Sequence, residues 1–66
     1  RLAQCVRNFL DQHRSLRPFD ELLEIVERLL LAEALDRAQG NQSQAARLLG
    51  ISRPSLHARL QKYNLR

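Results

Sequence analysis

The side chains best suited to chemistry in this sequence are hydrogen-bond donors and positive charges between residues 41 and 62. Arginine can donate two parallel hydrogen bonds to the edge of a guanine, and hydroxyl and amide groups bind phosphate oxygens. The candidate DNA-binding residues of this kind are Asn41, Ser43, Ser52, Arg53, Ser55, His57, Arg59 and Lys62, and Ala58, which lies among them, could contact a thymine with its methyl group. Enzymatic chemistry fits less well, because no nucleophile is paired with a base and neither His13 nor His57 has an evident orienting partner. We therefore expect a protein that is not an enzyme and that binds nucleic acid.

The distribution of charge favours a negatively charged partner for the C-terminal half. The chain has 66 residues and a formal net charge of +4. Residues 1–36 contain five arginines and all seven carboxylates, whereas residues 37–66 contain five arginines, one lysine and no carboxylate. A solvated face is the ordinary explanation of a charge run, but a half-chain without any carboxylate is typical of a surface that meets phosphates.

The segment from residue 42 to 51 predicts a short helix followed by a tight turn. The helix is expected over about Gln42–Leu49, with Asn41 as its N-cap and Gln44 completing a reciprocal capping arrangement. Gly50 lets the chain turn sharply, and Ile51 is expected to point back as the hydrophobic plug of the turn.

A further helix is expected after this turn. Ser52 is its N-cap, and Pro54 is tolerated in the first turn because the amide that proline lacks would be unpaired there. The helix runs to about Tyr63, and Asn64 suits a left-handed cap. Two helices joined by a glycine-containing turn form the helix-turn-helix arrangement.

Apolar and small residues predict which face of the last helix is exposed. A miniature core is expected from Ala45, Leu49, Leu56 and Leu60, and Ala46 is expected to be small because the two helices cross closely there. The opposite face can then enter a major groove, where we expect Arg53 to bind a guanine and Ala58 to contact a thymine methyl. Basic side chains beside it are expected to attract phosphates: Arg47, Arg59 and Lys62.

The first half of the sequence predicts two helices that are too apolar for a small monomer. One is expected to end near His13 or Arg14, and a long one to span Phe19 to Ala38 with Gly40 as its left-handed cap. Because the long helix is apolar around much of its circumference, we expect both helices to form a four-helix bundle with a second copy. The alternative is a monomeric helical core. The expected dimer interface is Val6, Phe9, Leu10, Leu22, Leu23, Val26, Leu29 and Leu30.

The expected fold is therefore all-α, with four helices in one domain over residues 1–66. Residues 1–39 supply the dimerisation hairpin and residues 41–64 the helix-turn-helix. Cys5 is the only cysteine, which excludes an internal disulfide and leaves a metal site short of ligands. We expect no cofactor, no membrane span and a location in the reducing cytoplasm. Because the chain begins at Arg1, we also expect a piece of a longer protein.

The segment GNQSQAARLLGISRPSLHARLQKYNL, residues 40–65, resembles the Fis-type helix-turn-helix family. The preceding FDELLEIVERLLLAEALDRAQ, residues 19–39, resembles the long helix of that family. Within the family the chain is most similar to the C-terminal domain of NtrC-like, sigma-54-dependent transcriptional activators of bacteria. The family's DNA-contacting positions fall here on Asn41, Ser43, Ser52, Arg53, Ser55, His57 and Ala58.

This resemblance implies a homodimer that binds palindromic enhancer sites in double-stranded DNA. It also implies that an AAA+ domain, absent from this chain, binds ATP and contacts the RNA polymerase sigma-54 holoenzyme. The chain departs from standalone Fis proteins, which have basic side chains where it has His57 and Ala58. One alternative is such a standalone, nucleoid-associated protein that bends DNA. Another is a dimerisation or adaptor module without DNA binding, which explains the apolar helix but not the carboxylate-free half.

Overall fold

The computed structural model describes residues 1–12 and 16–65, and every regular element in these ranges is a helix. The helices are α1 (Leu2–Gln12), α2 (Pro18–Arg37), α3 (Gln42–Leu49) and α4 (Arg53–Lys62). The predicted all-α fold with four helices is confirmed. The predicted end of the first helix at residue 13 or 14 lies outside the described residues. Within the part of the chain that the structure describes, every helix is too short or too polar to traverse a lipid bilayer.

Helix α2 begins at Pro18, one residue earlier than the predicted start at Phe19. Proline suits this position because its fixed φ matches a helix and its missing amide would have no partner there. Asp20 and Glu21 lie in the same turn, where carboxylates oppose the positive end of the helix dipole. Asp20 is also paired with Arg17, with 2.6 Å between Oδ2 and Nη2. Local chemistry therefore accounts for the start of α2.

Helices α2, α3 and α4 end in the same backbone motif, with a left-handed residue after the last turn. The left-handed residues are Gln39 (φ 54°), Gly50 (φ 74°) and Asn64 (φ 60°). In each case the next amide donates to a carbonyl five residues back: Gly40 to Leu35 at 2.9 Å, Ile51 to Ala46 at 3.0 Å, and Leu65 to Leu60 at 2.8 Å. These bonds satisfy carbonyl groups that a helix end would otherwise leave unpaired.

The predicted left-handed cap at Gly40 is wrong by one residue. Gln39 takes the capping position, and Gly40 follows it with a φ of 82°. The sequence favoured Gly40 because glycine adopts a positive φ without steric cost. The turn contains two consecutive residues with positive φ, and the glycine occupies the second. The predicted left-handed cap at Asn64 is confirmed.

The hydrophobic core lies between the C-terminal half of α2 and the inner faces of α3 and α4. Its buried residues are Leu31, Ala34, Leu35, Ala38, Ala45, Ala46, Leu56 and Leu60. Leu49, Ile51, Tyr63 and Leu65 are partly buried and pack against these residues. Of the four residues predicted for the miniature core, Ala45, Leu56 and Leu60 are buried in it and Leu49 packs against it. The core anchors α4 on α2 and α3, so the position of α4 is set by packing.

The other end of the molecule is open. Helix α1 has no buried residue, and the buried residues of α2 begin at Leu31. The Cα radius of gyration is 13.6 Å, and the principal extents are 38 × 24 × 16 Å. A compact chain of this length would have a radius of about 11 Å. The single chain is therefore elongated, and large apolar side chains of α1 and the first part of α2 are exposed.

Candidate nucleic-acid interface

Helix α3 is capped at its N-terminus by Asn41. The side-chain oxygen of Asn41 accepts a hydrogen bond from the backbone N–H of Gln44 at 3.0 Å, which satisfies one amide of the first turn. The reciprocal half of the predicted capping arrangement gives way to a turn, because the N–H of Asn41 donates to the carbonyl of Ala38 at 3.0 Å. This bond ties the start of α3 to the end of α2.

Helix α4 is capped in the same way after the Gly50 turn. The hydroxyl of Ser52 accepts a hydrogen bond from the N–H of Ser55 at 3.2 Å. The Ser52 carbonyl accepts from the N–H of Leu56 at 3.0 Å, which starts the helical ladder. The N-caps predicted at Asn41 and Ser52 are both confirmed. The start of α4, where base contacts are expected, is therefore fixed by local hydrogen bonds.

The two faces of α4 have opposite environments. Leu56 and Leu60 are 0% and 1% exposed, whereas Arg53, His57 and Ala58 are all exposed. Residues four apart share a helix face, so Arg53 and His57 project one above the other. The outer face of α4 thus presents a guanidinium, an imidazole and a methyl group to any partner that approaches.

An open groove lies beside this outer face. It is lined by His57, by the amide-bearing residues Gln42, Gln61 and Asn64, and by Leu60 and Leu65. Each amide can both donate and accept a hydrogen bond. The groove therefore extends the hydrogen-bonding surface from α4 toward the start of α3.

The predicted phosphate-binding residues lie at two helix starts. Asn41, Ser43 and Ser52 are exposed there, and unpaired backbone amides together with the helix dipole make such positions favourable for anions. Ser55 is half-buried, and its hydroxyl accepts a hydrogen bond from Nε of Arg59 at 3.4 Å. The structure thus brings three of these groups to the surface and directs the fourth toward Arg59.

Two predicted phosphate-binding side chains face α2 instead. Arg59 pairs through Nη1 with Oε2 of Glu27, and the Lys62 Nζ lies 3.4 Å from Oε2 of Glu24. The hydroxyl of Tyr63 donates to Oε1 of Glu27, so that one carboxylate bridges two residues of the α4 end. We call these five residues the α2–α4 charge cluster. Sequence reasoning missed it, although the spacing of Glu24 and Glu27 places both on one face of α2.

The contacts of the α2–α4 charge cluster keep Glu27 ionised. The hydrogen bond from Tyr63 lowers the pKa of Glu27 most, burial partly opposes this, and Arg59 and Lys62 lower the pKa further. The same hydrogen bond raises the pKa of Tyr63, so its hydroxyl remains a donor. Tyr63 and Glu24 raise the pKa of Lys62. At neutral pH the cluster holds two carboxylates and two cations and has no net charge.

The residues predicted for the dimer interface lie largely exposed in the single chain. Val6, Phe9 and Leu22 are half-buried. The others have exposed fractions between 46% and 63%: Leu10, Leu23, Val26, Leu29 and Leu30. Two neighbours outside the predicted set, Leu2 and Phe19, are 72% and 75% exposed. Helices α1 and α2 therefore each expose several large apolar side chains.

These features define a helix-turn-helix module joined to a long, partly uncovered apolar helix. The model of a family described as bacterial regulatory protein, Fis family, matches residues 22–63. The chain belongs to this Fis family.

Several curated proteins are similar to the chain over nearly its whole length. A Xylella fastidiosa protein (strain Temecula1) named as a Fis-like DNA-binding protein is 40% identical over 67 residues, which cover 97% of the chain and 74% of that protein. A Ralstonia nicotianae protein with the same name is 37% identical over 71 residues, covering 97% and 92%. The DNA-binding protein Fis of Glaesserella parasuis is 34% identical over 67 residues, covering 97% and 68%. The comparison with solved structures gave no match.

Proposed function

We propose that this chain binds duplex DNA with the outer face of α4 in the major groove. The observation that carries the proposal is the division of α4 into a buried leucine face and an exposed face with Arg53, His57 and Ala58. A helix fits the major groove, where arginine reads guanine and a methyl group contacts thymine. Membership of the Fis family and the names of the relatives support the same function.

Phosphate contacts on either side of the groove would orient α4. Asn41, Ser43 and Ser52 lie exposed at the starts of α3 and α4, and Arg47 is exposed on α3. Groups at helix N-termini bind phosphate oxygens without reading sequence, so they set the register of the protein on the duplex. Base contacts by Arg53 and Ala58 would then supply the sequence preference.

The proposal includes a symmetric pair of chains. Helices α1 and α2 expose large apolar side chains in greater number than is usual on a monomer, among them Leu2, Phe19 and Leu29, and contiguous exposure of this kind marks protein contacts. A two-fold pair would bury this surface through residues 1–39 and present two copies of α4. These would meet two half-sites about one helical turn, or about 34 Å, apart.

At a finer level, we propose an operator- or enhancer-binding domain of a sigma-54-dependent bacterial activator. In support, the middle of the outer face of α4 has His57 and Ala58 rather than a run of basic side chains. Such a face is better suited to contacts with specific bases than to phosphate contacts that hold any sequence. In this role, ATP hydrolysis and contact with the polymerase would belong to other domains.

A standalone Fis-like protein that bends DNA is the second candidate. One observation favours it: 71 matched residues make up 92% of the Ralstonia relative, which leaves that protein no room for an ATPase domain. The two candidates differ in bending and selectivity. A bender bends palindromic and shuffled duplexes alike, whereas an activator domain prefers one palindrome.

The test is titration of the protein with a duplex selected from a random pool and with a shuffled duplex. Arg53→Ala should weaken binding to the selected duplex by about 1–3 kcal/mol and relax base preference at one position of each half-site. Arg28→Ala, the same charge change on the exposed surface of α2, is the matched control. An equal loss on both duplexes would make Arg53 a phosphate contact. Wild-type protein that ignores both duplexes at low salt would refute DNA binding and favour the adaptor module.

A further inference from the structure

Helix α4 contains three basic side chains, and carboxylates of α2 engage two of them. Arg59 is paired with Glu27, and the Lys62 Nζ lies 3.4 Å from Glu24. Arg53 is exposed at the other end of the helix. The side chains of Arg59 and Lys62 are 49% and 54% exposed, so a phosphate could reach both and would compete with the carboxylates.

The position of Lys62 makes this competition relevant to DNA. Lys62 follows Ala58 by four residues, so its stem arises on the same side of α4 as a residue of the outer face. Its Nζ is nevertheless turned toward Glu24 and lies 5.2 Å from the centre of the Tyr63 ring. The ammonium group is therefore held on the α2 side of a helix whose outer face is proposed to meet the duplex.

We propose that Glu24 and Glu27 act as internal counter-ions that hold Arg59 and Lys62 away from DNA phosphates, and so limit how strongly the protein is attracted to the phosphate backbone of any duplex. The inference rests on the proposed function. Binding to random DNA comes almost entirely from phosphate attraction and the release of condensed ions. A cation that is already paired adds little to this release, whereas base contacts by Arg53 are unaffected. The carboxylates therefore weaken the phosphate attraction that acts on every sequence, and this attraction makes up almost all of non-specific binding.

Glu24 separates this role from simple bracing of the fold. Glu27 bridges Arg59 and Tyr63, so its loss could also loosen α4. Glu24 instead pairs with Lys62, and both side chains are 54% exposed. A pair this exposed contributes little to stability. A purely structural role thus predicts that Glu24→Gln leaves DNA binding unchanged, while a counter-ion role predicts a change.

The experiment measures dissociation constants of wild type and Glu24→Gln for the selected and shuffled duplexes over a series of salt concentrations. Each newly contacted phosphate steepens the plot of log affinity against log salt by about 0.9, or about 1.8 for a pair of chains. Glu24→Gln should therefore lose about twelvefold more affinity than wild type between about 50 and 200 mM salt. The steeper salt dependence should appear with both duplexes, because phosphate contacts carry no sequence information. Glu27→Gln should act in the same direction.

Two controls isolate the cause. Glu33→Gln makes the same charge change on the same helix, but Glu33 pairs with Arg37 of α2 at 2.9 Å, so the salt dependence should stay at the wild-type value. The double variant Glu24→Gln/Lys62→Gln should return to the wild-type salt dependence, because it removes the freed cation. A thermal melt checks that each variant is folded. If Glu27→Gln does not fold, the result for Glu24→Gln alone decides the test.

The outcomes separate this inference from the proposed function. Wild type that does not bind DNA at low salt refutes the proposed function itself. Wild type that binds, with Glu24→Gln showing the same salt dependence, overturns only the counter-ion role. Equal effects of Glu24→Gln and Glu33→Gln also overturn it, because they would reflect net charge and not the contact with α4.

Discussion

Replacing Gln39 with glycine should stabilise the protein, and replacing Gly50 with alanine should destabilise it. Both residues occupy the left-handed position at a helix end, with φ of 54° and 74°. A residue with a side chain loses about 1–2 kcal/mol in this conformation. A glycine has more conformational freedom in the unfolded chain, which costs about 0.4–1 kcal/mol on folding. The difference is about 1 kcal/mol in favour of glycine at either position.

At both sites the substitution changes the conformational free energy of the backbone without disturbing the packing around it. A Cβ added at Gly50 would meet no atom within 4 Å, so the cost there is conformational and not a clash. Gln39 is exposed, so its replacement uncovers no core. A domain of this size is stable by about 3–10 kcal/mol, and 1 kcal/mol is a measurable share.

Urea unfolding at a fixed chain concentration is the appropriate assay, since pairing would make stability depend on concentration. With a slope of about 1 kcal/mol per molar urea, the midpoint should rise by about 1 M for Gln39→Gly and fall by about 1 M for Gly50→Ala. Ala32→Gly, at an exposed site inside α2, is the control and should lower stability by about 1 kcal/mol. If Gln39→Gly lowered the midpoint as Ala32→Gly does, the left-handed conformation of Gln39 would be refuted.

Two further predictions concern pairing and acidity. Leu29→Asp or Leu30→Asp should convert the proposed pair of chains to monomers and weaken operator binding. The control Leu48→Asp, at a leucine of α3 that is 57% exposed, should leave the pair intact. Sedimentation that showed a pair for the first two variants would contradict the interface. Because the pKa of Glu27 is lowered below 4.5 in the folded chain, its stabilising effect should be complete well above that pH and should vanish as pH falls through the lowered pKa. The stability gap between wild type and Glu27→Gln should therefore close in acid, and a gap that stayed constant with pH would exclude a charge effect.

The helix-turn-helix could be predicted from the sequence because its determinants act over a few residues. The caps at Asn41 and Ser52 bond to amides three positions ahead, and Gly50 permits a turn whose closing bond spans five positions. Such interactions depend on residue type and spacing, which the sequence displays directly. Gln39 shows the limit of this reasoning. The sequence favours the neighbouring Gly40 for the left-handed cap, because glycine adopts a positive φ without steric cost, yet Gln39 takes that position.

The environment of Arg59 and Lys62 could not be predicted in the same way. The contact between Glu27 and Tyr63 joins residues 36 positions apart, and it exists only because α2 and α4 pack on a common core. From the sequence, a half-chain without carboxylates implied cations available for phosphates. The carboxylates that neutralise two of them come from the other half.

The apolar surplus of α2 was recognised from the sequence but is distributed differently from expectation. Leu31 and Ala34 extend the apolar circumference that favoured a second copy, yet they are 2% exposed in the core of their own chain. The helix is divided along its length, because its buried residues begin at Leu31 and the apolar residues before it are exposed or half-buried. Apolar periodicity predicts that a residue is buried but not by which chain, because burial within the chain and burial against a second chain need the same pattern.

Helix α2 is a single uninterrupted rod of 20 residues, about 30 Å long. Its C-terminal part packs on α3 and α4, and its N-terminal part is proposed to meet a second chain. The number of residues between the two parts therefore sets the angle between their contact surfaces. One inserted residue near the middle would turn the proposed pairing surface by about 100° relative to the helix-turn-helix. Seven inserted residues would nearly restore the original angle. In the proposed pair, the separation and tilt of the two α4 helices on a duplex would thus depend on the length of α2. Changes in that length would alter which operators fit without touching any residue that meets a base.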